Sequence, residues 1–151
     1  MRRLVRSLAV AVAAAGSLVL SDCAWAGETG QAPQPVKVVY HVNTDVNTVP
    51  AILNNVRNHM NADPTARIVV VTHGPGINFL LQDAKDSQGR EFSAAVSELA
   101  SKGVDFRVCN NTLTGRDISP ARLLLETTIV PSGVAEVARL QAREGFVYLK
   151  P

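Results

Sequence analysis

Only two cysteines occur in this chain of 151 residues, Cys23 and Cys109. The C-x-x-C position after Cys109 is taken by Thr112, which excludes dithiol redox chemistry within one chain. No G-x-S-x-G elbow is present, so a Ser/His/Asp hydrolase of that type is excluded. "GPG" at 74–76 is neither a Walker loop nor a complete G-x-G-x-x-G, so a nucleotide site is not indicated. The three histidines, His41, His59 and His73, lack metal-ligand spacing. None of these patterns calls for a cofactor or a metal. The longest uncharged apolar run, Leu8 to Leu20, falls short of the about 20 residues that a bilayer span needs.

That run has another meaning. Arg2, Arg3 and Arg6 precede it and "SDCAWAG" follows, the layout of a secretory signal peptide cleaved after Ala26 at an A-x-A site. A rival reading takes "LSDC" as a lipobox with Cys23 lipidated, although Asp22 stands where such boxes carry a small residue. Cleavage removes three arginines and Asp22, leaving twelve basic and twelve acidic residues. A neutral domain has no electrostatic footprint for nucleic acid or an acidic membrane surface. The mature protein is expected in the periplasm or secreted, with Cys109 as its only cysteine. A leftover thiol there implies an intermolecular bridge, a reactive group or a plain buried side chain.

The 46% hydrophobic content suits one domain with a real core. Residues 1–26 are read as the signal, 27–35 ("GETGQAPQP") as a flexible leader and 36–151 as the domain. "VKVVYHV" (36–42) and "RIVVVTH" (67–73) are β-branched runs apolar on both faces, the mark of covered parallel strands. Between them Val49, Ile52, Leu53, Val56 and Met60 fall at helical spacing, with Asn47 or Thr48 as cap and "ADPT" as stop. A Gly-Pro-Gly turn, a helical stretch near 77–81 and a polar loop lead to a second stripe, Phe92, Ala95, Val96 and Leu99, closed by Gly103. "VDFRVC" then reads as a strand running into a polar loop, "NNTLTG". Ser119-Pro120 starts a short helix, "TTIVP" is a fourth strand, Ser132 caps a helix to Glu144, Gly145 ends it, and "FVYLK" is a fifth strand. The alternation predicts an α/β domain with a mainly parallel sheet covered on both faces.

Sites in open α/β sheets form beyond the carboxyl ends of the strands. Three segments qualify: "HVNTD", "HGPGIN" and "CNNTLTG". A thiol becomes nucleophilic where a cation, a helix N-terminus or backbone donors favour its thiolate. Around Cys109 the candidates are Arg107, two residues back on the same strand face, and Arg116 in the following loop. Val104, Phe106 and Val108 alternate with Asp105, Arg107 and Cys109, so the cysteine shares a polar face. Buried packing is the competing reading, since free cysteine is among the most buried residues. His73 is a candidate base or positive neighbour, with a structural hydrogen-bonded histidine as its alternative. Loop amides of residues 74–78 (Gly74, Gly76, Asn78) and 110–114 (Asn110, Asn111, Thr112) are candidates to hold a small anion.

"VVYHVN", "NNVRNHM", "IVVVTHGPGINFLL", "FRVCNNTL" and "VPSGVAEVARLQAREGFVYLKP" together resemble the DsrE/DsrF-like family of small sulfur-metabolism proteins, from Val36 onward. The resemblance implies a three-layer α/β/α domain with a five-stranded, mostly parallel sheet, assembled into homo-oligomers such as trimers or hexamers. It further implies that the cysteine after a central strand, here Cys109, accepts sulfane sulfur as a persulfide and hands it to a partner. Donor and acceptor are not specified by the sequence, and the cytoplasmic partners of the well-known relays lie out of reach of an exported chain. A noncatalytic oligomeric module binding a small ligand or protein, with Cys109 as packing, is the alternative.

Overall fold

The computed structural model describes residues 34–151. The expected signal peptide, its cleavage site at Ala26, the lipobox cysteine and most of the leader lie outside the described residues. Five strands form one sheet: β1 (Lys37–Val42), β2 (Arg67–Thr72), β3 (Asp105–Cys109), β4 (Thr127–Val130) and β5 (Val147–Leu149). Their order is β4-β3-β2-β1-β5, and every neighbouring pair is parallel. The α/β class expected from the alternation is therefore observed, with a sheet that is wholly rather than mostly parallel. Parallel strands need crossovers, and a crossover helix covers a face, which is why β2 reads apolar on both sides.

The helices are α1 (Val49–Ala62), α2 (Phe92–Ser101), α3 (Asn110–Gly115) and α4 (Gly133–Glu144). α1 buries Val49, Ile52, Leu53 and Val56, the stripe read from the sequence, and carries Pro50 in its first turn, where no intrahelical donor is lost. Neither Asn47 nor Thr48 caps it by its side chain. Asp45 does the local capping instead, accepting from the Asn47 backbone N–H at 2.9 Å in a 3-10 turn that leads into the helix. Asp63 precedes Pro64 and leaves helical geometry at φ −134°, ending α1. The stretch after the Gly-Pro-Gly turn is a 3-10 helix, Gly74–Leu80, and another, Pro120–Arg122, follows the Ser119 cap. α4 starts at Ser132, whose Oγ accepts from Ala135 N–H at 3.4 Å, and stops at the left-handed Gly145.

The "NNTLTG" segment is a correction to the sequence reading: it is helical, not a loop. Asn and Thr compete for backbone hydrogen bonds and disfavour helix interiors. Here tertiary packing prevails, because Leu113 is driven into the core at 1% exposure and anchors the single turn and a half.

Two apolar clusters sandwich the sheet. On one side Val38, Tyr40, Val42, Ile68, Val70, Phe106 and Val108 meet the buried residues of α1, α2 and α3, together with Phe79 of the 3-10 helix. On the other, Val39, Val69 and Val71 meet Val137 and Leu140 of α4 and Phe146. β3 thus sends its chain to the first side, through α3, while its neighbour β4 sends its chain to the second, through α4. Where adjacent parallel strands part in this way, a crevice opens at their carboxyl ends. Cys109 is the last residue of β3 and lies in register with Val130 of β4.

Candidate functional site

Cys109 is held between the starts of two helices. It is the N-cap of α3 and sits under the first turn of α4. The strand alternation places it on the α4 side of the sheet with Asp105 and Arg107, opposite Phe106 and Val108. Burial, the largest single influence, raises its pKa. The backbone N–H of Gly133, the hydroxyl and backbone N–H of Thr112 and the backbone N–H of Asn111 lie where they favour the thiolate and together outweigh burial, so the pKa is lowered from the ordinary thiol value. The Thr112 hydroxyl is itself oriented, because its Oγ1 accepts from Gly74 N–H at 2.9 Å. These groups together favour a thiolate, or a sulfur anion attached to it, at this position.

Gly133 makes this approach possible. A Cβ there would lie 3.1 Å from the Thr72 carbonyl oxygen and 3.2 Å from both the Cys109 and His73 Cβ atoms. The same point is thus flanked by the cysteine and the histidine. His73 follows β2 and faces His41 of β1, their Nε2 atoms 2.6 Å apart and the rings stacked at 4.8 Å. His41 Nδ1 in turn meets the Tyr148 hydroxyl of β5 at 2.8 Å. Burial first, then His73 and Lys150, lowers the His41 pKa; burial, then Lys150, lowers that of His73. Both rings are accordingly held neutral at pH 7.

The other candidates fall into different positions. Arg107 is committed to carboxylates: it donates to Asp105 Oδ2 at 2.6 Å and pairs with Glu136 of α4. Glu136 also accepts from Arg139, which reaches Glu144. The network lies along the same sheet face as Cys109, and none of its bonds goes to the sulfur. Arg116 donates to the Gly74 carbonyl at 3.2 Å and to Asn78 Oδ1 at 2.9 Å, tying α3 to the 3-10 helix rather than contacting the thiol. Gly76 is a packing residue, since a Cβ there would collide with the Val42 carbonyl. Asn110 is exposed and takes no part in the donor set. Of the proposed supports, Asn111 and Thr112 help to lower the Cys109 pKa, and Gly74 bonds to Thr112. Among the described residues no group of three or more His, Cys, Asp or Glu could hold a metal ion.

The model of the DsrE/DsrF-like family matches residues 38–151. The chain belongs to this family. Among solved structures it is similar to a protein of unknown function, MTH1491 from Methanobacterium thermoautotrophicum, with 37% identity, TM-score 0.69 and coverage of 77% of this chain and 99% of that one. Two further structures share the fold: the ychN protein from E. coli (14% identity, TM-score 0.59, 76% and 99% covered) and BT1422, a conserved protein of unknown function from Bacteroides thetaiotaomicron (17%, 0.58, 76% and 94%). No curated protein matches the chain.

Three members of this DsrE-like site were not read from the sequence: Gly133, His41 as the partner of His73, and Tyr148. The Ser132-Gly133 cap was visible, but its proximity to Cys109 depends on β4 lying beside β3. His41 and Tyr148 meet only because the last strand returns to pair with β1, with Val39 in register with Tyr148. The alternation within "VVYHV" does place His41 on the same face as Val39. That was the available signal.

Proposed function

We propose that this protein is an exported carrier of sulfane sulfur, holding it as a persulfide on Cys109. Membership of the DsrE/DsrF-like family relates the chain to sulfur metabolism. The observation that carries the finer reading is the position of Cys109, N-cap of α3 and packed against Gly133 at the start of α4, where neighbouring N–H groups and the Thr112 hydroxyl lower its pKa. Cys109 thiolate attacks a sulfane donor such as thiosulfate; the S–S bond of the donor breaks, sulfite leaves with its electron pair, and the outer sulfur remains as Cys109–S–S⁻. The outer anion takes the place of the thiolate as acceptor of the amides. One cysteine suffices for this cycle. His73 is proposed as the base of the site. Export through residues 1–26 to the periplasm, and assembly into a trimer or hexamer, complete the proposal. The exposed apolar residues Val134 of α4 and Val147 and Leu149 of the edge strand β5 support assembly. No helix among the described residues is long and apolar enough to cross a membrane.

Incubating the mature protein with polysulfide or thiosulfate and weighing it intact tests the reading. One sulfur should be added, and Cys109→Ser should add none. No adduct on the wild type, or an adduct that survives the substitution, ends the proposal.

A second reading is favoured by one observation: Cys109 is only 5% exposed. On that reading the cysteine is packing, and the strand-end loops bind a small ligand or a protein. It requires slow alkylation of the native thiol near neutral pH, whereas the carrier requires fast alkylation.

A further inference from the structure

The base at this site does not act alone. His73 Nε2 is occupied by His41 Nε2 at 2.6 Å, and a nitrogen pair at that distance shares one proton, one ring donating and the other accepting. The far nitrogen of His41 is fixed by the Tyr148 hydroxyl at 2.8 Å. Tyr148 is 38% exposed, so the chain of groups runs from solvent at the β5 edge to the side of Cys109. Among the described residues His73 Nδ1 has no hydrogen-bond partner, which leaves it free to receive a proton at the site.

We infer that His73, His41 and Tyr148 form a proton relay that serves the discharge of sulfur from Cys109. The inference rests on Cys109 being the reacting thiol. An incoming thiol R–SH attacks the outer sulfur of a Cys109 disulfide or persulfide. Its new S–S bond forms as the bond to Cys109 Sγ breaks, and the electron pair returns to Cys109 as the amide-held thiolate. The R–SH proton goes to His73 Nδ1, the Nε2 proton of His73 passes to His41 Nε2, the Nδ1 proton of His41 passes to the tyrosine oxygen, and the tyrosine releases its proton to water. Every group returns to neutrality, so no ring has to stay charged. That suits a pair kept from charging by burial and by Lys150. The titratable groups facing the pair are Tyr148 and Lys150 from β5 and its end and Cys109 from β3. The carboxylate that α4 contributes on this sheet face, Glu136, is engaged by Arg107 and Arg139.

The test uses a mixed disulfide of Cys109 with cysteamine, made chemically, and discharge by a small thiol in single turnover from pH 6 to 8. It does not depend on sulfane loading. In the wild type the rate should fall by less than tenfold for each unit the pH is lowered, because the relay deprotonates the incoming thiol. His41→Asn should slow discharge about tenfold at pH 6.5 and Tyr148→Phe about threefold. Both variants should steepen the profile to tenfold per unit, the dependence of a reaction that waits for free thiolate. Tyr148 lies on an exposed edge strand, so its variant reads the relay even where His41→Asn perturbs folding. Nitrogen-15 NMR of the imidazoles should show a single Nε2 proton shared by the two rings. An unchanged pH slope in both variants overturns the relay. So do an Nε2 proton on each ring, a thiol that forms no mixed disulfide, and stoichiometric Zn²⁺ uptake that His41→Asn abolishes. Failure to take up sulfane sulfur, by contrast, strikes only the carrier reading.

Discussion

The two faces of the sheet are built to different specifications. The α1/α2 face carries three phenylalanines in mutual edge contact, Phe79 with Phe92 and with Phe106, inside a continuous apolar cluster. The α4 face has six buried apolar residues and fills the rest with Arg107, Glu136, Cys109 and the two histidines. Apolar burial contributes about 25 cal/mol per Å², so the first face supplies most of the stability. The second is the face on which polar groups are gathered, and their desolvation is met by ion pairs and hydrogen bonds. No buried side-chain polar atom among the described residues lacks a partner.

Substitutions on each face sharpen this contrast. The largest effect is expected at Phe106→Ala, about 3–5 kcal/mol in urea unfolding, with little change in the reactivity of the thiol. A loss below about 1 kcal/mol would mean that the first face is not the stabilising one. Arg107→Met comes next, at about 2–3 kcal/mol, because Glu136 keeps only Arg139 at a site 9% exposed. Adding Glu136→Leu should recover most of that loss, and a double variant no better than the single one would refute the balance just described. Ser132→Ala removes the α4 cap bond and should cost about 1 kcal/mol, with slower alkylation of Cys109 as the helix start loosens.

Thr112→Val removes a hydroxyl beside the sulfur, which lifts the thiol pKa and should slow alkylation at pH 7 a few-fold, with a stability loss of about 1 kcal/mol or less as Gly74 N–H loses its acceptor. The smallest effect is on pH dependence. Because the folded pKa values of His41 and His73 lie below the ordinary 6.5, the unfolded chain binds protons first as pH falls. Their contribution to stability is present above pH 6.5 and is lost as pH drops toward the folded values. Urea midpoints between pH 5 and 7.5 should fall on the acid side in the wild type and less in His41→Asn.

How much of this was legible in the sequence depended on distance along the chain. The strands and the stripes of α1, α2 and α4 were readable because period-2 and period-3.6 patterns are local. So was the placement of Cys109 at a strand end, on a polar face. α3 was hidden because only Leu113 in it carries an apolar signal. Arg107 looked like support for the thiolate because it shares a face with Cys109. Its actual partners are Asp105, two residues back on the same face, and Glu136, which comes from a helix on another connection that no spacing rule reaches. The amides of Asn111 and Thr112 were readable from their place after a strand end, whereas that of Gly133 has no side-chain signature at all.

The position of β5 also sets an order in time. It pairs with β1, near the opposite end of the domain's chain, and it consists of three residues, Val147–Leu149. While the polypeptide is being made, Asn111, Thr112 and Gly133 all emerge before Tyr148, so the surroundings of Cys109 can form first. His41, made early, meets its tyrosine only once β5 has emerged. A chain truncated before Tyr148 would keep Cys109 beside Thr112 and Gly133 and, on the relay proposed above, lose its path to solvent.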